Sequence, residues 1–366
     1  MHDLRIRNVL PGLLARTAIY QCLHGDSLSG LYSVDLRCGQ PPASAHRTPG
    51  RRGGATIPCM ADQTTNPFAL PCAEAPRAGL HEVNGCRLHA EVRGTGPTIL
   101  IIGAASDDAE MFRPIAERLT GFTVVTYDPR GTLRSSRDGW PCDSARHADD
   151  AAELLHALGL GADAGGAHTR ADVFGASAGG IAAVRLALRH PETVRRVTVF
   201  EPGYFQLTAS GRDLAARVGA QVDRHLAVHP GDWAGAVALA SDAARVEQPG
   251  AEPSAVRPSG LLAAPRGLDW YAARGEALAE NFIRGDLPIT GEPVDRRALA
   301  ESAADIRFAF GNASHPVFGE IARELTRVRR RPGSADPAEP DVIDGVGHVV
   351  YFAPEPVAQY LRRRCA

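Results

Sequence analysis

The sequence predicts an α/β protein with a mostly parallel central sheet, helices on both faces and an inserted helical cap. Three observations carry this. Short continuous apolar runs, such as Thr98-Ile-Leu-Ile-Ile102, alternate with helix-patterned segments. Such runs suit strands buried on both faces, and the alternation suits parallel strands joined by helical crossovers. The stretch from Asp172 to Gly180, Asp-Val-Phe-Gly-Ala-Ser-Ala-Gly-Gly, reads as strand, sharp turn and helix start. The alternation then breaks at Glu201-Pro202, and no clear strand follows until Ile306–Phe310.

Taken in order, residues 1–77 do not read as a packed domain. Val9-Leu-Pro-Gly-Leu-Leu14 is apolar but is broken by Pro11, then by Arg16. That is too short for a secretory core. Residues 39–54 are rich in Pro, Ser, Arg and Gly and read as disordered. Met60-Ala-Asp-Gln-Thr-Thr looks like an ordinary start, so residues 1–59 read as an upstream extension from a misassigned start codon. Folding is expected from residue 78. His81–Asn84 and Arg87–Arg93 flank Asn84-Gly85, a hairpin signal.

After the strand 98–102 come a helix over 108–119 and a strand over 122–127, which runs into Asp128-Pro-Arg-Gly131. A helix over 144–158 has Ala148, Ala151, Leu155 and Leu158 on one face and stops at Gly159. Residues 161–169 are a glycine-rich loop. The strand from Asp172 and its helix to Arg189, then a strand over 196–200, complete the first part of the sheet domain, 78–202.

Residues 203–300 form the expected cap. Leu214, Val218 and Val222 mark one amphipathic helix, and Asp232 is placed as the N-cap of a second. Residues 250–265 are a Pro-rich break, and 270–283 are helical again. The sheet domain resumes over 301–366. It has a strand at 306–310, a helix over 317–329, a short strand at 341–343, then Gly345-Val-Gly-His348 and a final helix over 354–364.

Composition narrows the function classes. The chain has 366 residues and a formal net charge of -2, with 40 basic residues that are all Arg. That balance gives no electrostatic case for nucleic acid or an anionic membrane. No apolar run approaches the ~20 residues a membrane helix needs. The seven cysteines are odd in number and form no C-x-x-C, which suits free thiols in a reducing, cytoplasmic setting. No H-E-x-x-H, Cys/His cluster or Asp-rich loop points to a metal, and no early G-x-G-x-x-G points to a dinucleotide. No cofactor is expected. Oligomeric state is not legible.

Gly175-Ala-Ser-Ala-Gly179 carries the chemistry. A serine in a strained strand-to-helix turn needs small neighbours so that the backbone can close around it. The helix start beneath it offers N–H groups to developing negative charge. The pattern alone is weak; its strand and helix context strengthens it.

The order of Gly103-Ala104, Asp128-Pro-Arg-Gly131, Gly175–Gly179 and Gly347-His348 resembles the α/β-hydrolase superfamily over about residues 80–364, and a capped serine hydrolase subgroup in particular. The resemblance implies Ser177 as nucleophile and His348 as base and then acid. It implies the backbone N–H groups of Ala104 and Ala178 as oxyanion donors. The usual acid position after the seventh strand holds Gly311-Asn-Ala-Ser-His-Pro316, without a carboxylate. Glu201 is the alternative triad acid; a Ser–His dyad is the other. Ser314 could fix a histidine tautomer but brings no charge, and its loss is expected to do little. Asp128 and Arg130 read as structural, and His315 as a loop residue. The implied activity is hydrolysis of an ester, thioester or related carbonyl of a small apolar molecule, through an acyl-enzyme. The rivals are a lyase or cyclase of specialised metabolism using Ser177 and His348 for proton transfer, and a non-catalytic ligand binder.

Overall fold

A computed structural model describes residues 75–160, 170–244, 274–330 and 337–366. The expectations for residues 1–59 and for 161–169 and 250–265 lie outside them.

Eight strands form one sheet. They are β1 (Arg77–Val83), β2 (Cys86–Arg93), β3 (Thr98–Ile102), β4 (Thr123–Tyr127), β5 (Ala171–Ala176), β6 (Val194–Phe200), β7 (Asp305–Gly311) and β8 (Asp341–Ile343). Their order is β1-β2-β4-β3-β5-β6-β7-β8. β1 and β2 pair antiparallel around Asn84 and Gly85, both at positive φ, as the Asn-Gly hairpin signal requires. β2 also meets β4 antiparallel, and every pairing beyond that is parallel. β3, β4 and β5 are buried along their whole length. That burial explains why none of them alternates apolar with exposed polar residues: β3 is nearly all apolar, and the polar residues of the other two, Thr123, Thr126 and Asp172, are buried as well.

The crossover helices cover both faces. They include α1 (Arg113–Ala116), α2 (Ser144–Ala157) and α3 (Ala178–Arg189). α2 starts where Asp143 accepts from the Arg146 N–H. α1 is a correction: a helix over 108–119 was expected, and only four residues are α-helical. The Asp108 side chain accepts from the Met111 N–H. Pro114 lacks a donor N–H, so the preceding residues stay in turns.

Between β6 and β7 the chain leaves the sheet. It forms α4 (Ala209–Val228), α5 (Trp233–Ala243), a helical run over 279–290 and α6 (Arg296–Glu301). Leu214, Val218 and Val222 are buried on one face of α4. Asp232 caps α5 by accepting from the Gly235 N–H. No strand occurs among the described residues of this insertion. The run over 279–290 contains a π turn, Phe282–Asp286, which directs the buried Asp286 onto the loop after β3. α7 (Pro316–Arg329) and α8 (Pro354–Cys365) return to the sheet. Among the described residues, no helix is long and apolar enough to cross a membrane.

Candidate active site

Ser177 stands at the tip of β5, where φ is 55° and ψ is −123°. A non-glycine residue there is strained, and its neighbours hold it. Its N–H donates to the Phe200 carbonyl of the adjacent strand at 3.0 Å. A Cβ at Gly175 would lie 2.6 Å from both the Ala183 Cβ and the Gly179 carbonyl oxygen. A Cβ at Gly179 would lie 2.3 Å from the Ile102 carbonyl oxygen. The two glycines therefore let α3 start directly beneath the serine and against the end of β3.

His348 arrives on the loop after β8. That loop approaches β7 closely enough that a Cβ at Gly311 would lie 1.9 Å from the Val346 carbonyl oxygen. His348 Nε2 is 3.1 Å from Ser177 Oγ, and its Nδ1 is 2.7 Å from Glu201 Oε2. Glu201 directly follows β6, with φ at 44°, and is fully buried. Its Oε1 accepts from the Gly311 N–H at 2.8 Å, and its Oε2 also accepts from Ser314 Oγ at 2.8 Å. As a carboxylate Glu201 only accepts, so the proton between it and His348 sits on Nδ1. Nε2 is then free to accept from the Ser177 hydroxyl. The Ser314 hydroxyl thus meets Glu201, whose carboxylate it helps to orient. Phe318 of α7 stacks on the imidazole, with ring centroids 4.2 Å apart and planes at 9°.

The two expected oxyanion donors differ. Ala178 is the first residue of α3, so its N–H has no acceptor within the helix. The Ala104 N–H already donates to Asp107 Oδ2 at 2.9 Å. Asp107 Oδ1 accepts from Tyr351 Oη at 3.3 Å. Burial pushes the Asp107 carboxyl up to about 6, with the charge of Asp108 acting in the same direction. Asp286 Oδ1 accepts from the Ala105 N–H at 2.6 Å and its Oδ2 from the Ser106 N–H at 3.1 Å. Burial pushes Asp286 up to about 7. Neither aspartate stood out in the sequence. The pair Asp107-Asp108 after the β3 turn was the available signal, and Asp286 had none.

Ser177, His348, Ala104, Asp107 and Asp286 share one cavity of about 360 Å³. Phe205, Leu214, Val218, Phe282 and Leu287 of the insertion supply much of its apolar wall. That volume fits a small organic molecule.

Residues expected to be structural are so placed. Asp128 is fully buried and meets Arg134 through both oxygens at 2.8 Å. Arg130 donates twice to Asp150 at 2.8 Å. His315 caps α7, its Nδ1 accepting from the Val317 N–H. No group of metal-ligating side chains occurs among the described residues.

The sheet order, the strained serine on β5 and its histidine after β8 are those of the α/β-hydrolase fold, and the matches to known proteins support membership of that superfamily. The α/β hydrolase fold family model matches residues 97–255. The uncharacterized hydrolase YraK of Bacillus subtilis (strain 168) is 37% identical over 134 residues, which are 35% of this chain and 46% of that one. RutD of Caulobacter sp. (strain K31), provisionally named a carbamate hydrolase, is 33% identical over 181 residues, 44% of this chain and 60% of that one. The chain thus spans about half the length of these relatives. An α/β hydrolase from Sphaerobacter thermophilus superposes with a TM-score of 0.53 at 23% identity, covering 79% of this chain and 100% of that one. The likeness in structure is one of fold.

Proposed function

We propose that the protein is a serine-dependent hydrolase acting on an ester, thioester or carbamate-like carbonyl of a small, mainly apolar molecule. The observation that carries this is the unbroken chain from Ser177 Oγ through His348 to Glu201. In this reading His348 takes the serine proton as Oγ attacks the carbonyl carbon, and Glu201 stabilises the imidazolium that forms. The tetrahedral intermediate collapses to an acyl-enzyme as His348 returns the proton to the leaving group. Water, deprotonated by His348, then releases the acid. The helices of 203–300 act as a cap that supplies the apolar wall and sets the substrate's shape. The provisional name of the Caulobacter relative adds carbamates to the substrate classes worth assay. The setting we assign is cytoplasmic, with no cofactor and a small molecule as partner.

A lyase or cyclase reading keeps one specific observation in its favour. Asp107 occupies the Ala104 N–H, so one oxyanion donor is engaged in the resting protein. A fluorophosphonate probe tests the main reading. It should label the full chain on Ser177, and the Ser177→Ala variant should fold, stay unlabelled and lose ester hydrolysis. Turnover of a panel of p-nitrophenyl esters and carbamates then sorts the substrate class. Absence of labelling and of turnover on every member would refute acyl transfer.

A further inference from the structure

Asp107 sits at the reacting centre, yet the triad leaves it without a role. Its main chain and side chain behave differently. The backbone of its loop is pinned by groups other than its own carboxylate. The Asp107 N–H donates to the Ala104 carbonyl at 3.0 Å, and Thr132 Oγ1 donates to the Ala105 carbonyl at 2.7 Å. Asp286 takes the Ala105 and Ser106 amides together with the Ser106 hydroxyl. The carboxylate folds back over Gly103, where an added Cβ would lie 2.8 Å from the Asp107 Cβ. It meets two donors there, the Ala104 N–H at 2.9 Å and the more distant Tyr351 hydroxyl at 3.3 Å. The side chain also lines the cavity beside Ser177 and His348, so it has open space to turn into. A fixed loop bearing one side chain that borders open cavity has the parts a gate requires.

The competition is simple electrostatics. One N–H cannot serve a carboxylate and an oxyanion at full strength together. Two anions on one donor also repel, more strongly in a cavity that excludes water. We propose that Asp107 is a positioning residue that gates the Ala104 oxyanion donor, holding it in the resting protein and swinging into the cavity when an acyl carbonyl docks. This rests on the acyl-transfer reading above. It adds a selectivity: the swung carboxylate faces the acyl pocket, so acyl groups bearing their own carboxylate near the scissile carbon are rejected.

The test uses the full chain, as wild type, Asp107→Ala and Asp107→Asn. The probes are an alkyl trifluoromethyl ketone, which forms an anionic adduct on the serine, and the matching methyl ketone, which binds without one. Removing the competing acceptor should lower the trifluoromethyl ketone inhibition constant about tenfold in Asp107→Ala. Asp107→Asn, a neutral and weaker acceptor, should lower it by a smaller factor. Methyl ketone binding should stay within about twofold in all three. Succinyl monoesters should gain turnover relative to butyryl esters in both variants. A purely structural aspartate would instead weaken both ketones together. If Asp107→Ala does not fold, the Asn variant decides by the same ratio. An unchanged or raised trifluoromethyl ketone constant in a folded variant that fluorophosphonate still labels overturns the gate alone. Failure of fluorophosphonate to label the wild type removes acyl transfer, and the gate with it.

Discussion

Phe318 lies flat against the His348 imidazole, with ring centroids 4.2 Å apart and planes only 9° from parallel. Phe318 is fully buried in α7, so the ring holds the histidine against rotation from its far side. An aromatic face also favours a cation above it, and an imidazolium is what forms when the serine proton moves. Phe318→Leu should therefore lower kcat by about three- to tenfold with KM nearly unchanged, reflecting a stacking contribution of ~0.5–1.5 kcal/mol. Steady-state kinetics on an activated ester check this. A rise confined to KM would assign Phe318 to the substrate wall instead.

Glu201 and Ser314 form a graded pair. Glu201→Gln removes the charge behind His348 and should lower kcat by about two to four orders of magnitude. The sequence led us to expect little from Ser314→Ala. The structure revises that, because Ser314 Oγ donates to the very oxygen that meets His348 Nδ1. Losing a hydrogen bond to a charged group costs ~1.5–3 kcal/mol at most, so a drop of about tenfold is expected. Equal effects of the two substitutions in parallel assays would contradict this ordering.

The buried acids of the β3 loop make a prediction about pH. Asp107 is held up to about 6 and Asp286 up to about 7, in both cases chiefly by burial. An acid whose folded pKa is raised binds its proton more tightly in the folded chain than in the unfolded one. Its contribution to stability is full below the unfolded value of about 4 and is lost as pH rises through the folded value. Asp286→Asn should therefore lose least, or gain, in melting temperature at pH 8 relative to wild type, and lose most at pH 5. Melting curves that stay parallel across that range would rule out Asp286 as the titrating group.

Arg130 and Asp150 are almost fully buried and pair through two hydrogen bonds, and Asn84 supplies Asp150 with one further donor. Removing one partner strands a charge, so Arg130→Met should cost ~3–5 kcal/mol of stability. Fluorophosphonate labelling of Ser177 in the folded fraction at low temperature should persist. Loss of labelling without loss of stability would move Arg130 from scaffold to site.

How much was legible follows from where the partners lie. β3, β5 and the serine turn were readable because each is a local pattern: an apolar run, then small residues around one hydroxyl. The break at Glu201-Pro202 was equally local. Glu201 itself was reachable only because the position after β7 lacks a carboxylate, which left a histidine in need of one. What escaped was set by contacts between distant positions. Asp286 meets Ala105 across 181 positions, and nothing around it marks the π turn that aims it. Phe318 reads as one apolar residue of an amphipathic helix, and its meeting with His348 depends on how α7 packs. The helix expected over 108–119 failed for a local reason that propensity undervalued: side-chain caps and a proline compete with helical hydrogen bonds.

The Asp286 tether has a consequence for anyone recombining these proteins. Insertions between β6 and β7 look like interchangeable modules, since both ends leave and rejoin one sheet. Here the module carries the acceptor for two amides and a hydroxyl of the turn that follows β3. A chimaera that imports another protein's insertion without such an acid leaves those donors stranded, and the turn that presents the Ala104 N–H loses its brace. Transplants in this scaffold should therefore exchange the β3 turn and the insertion as one unit.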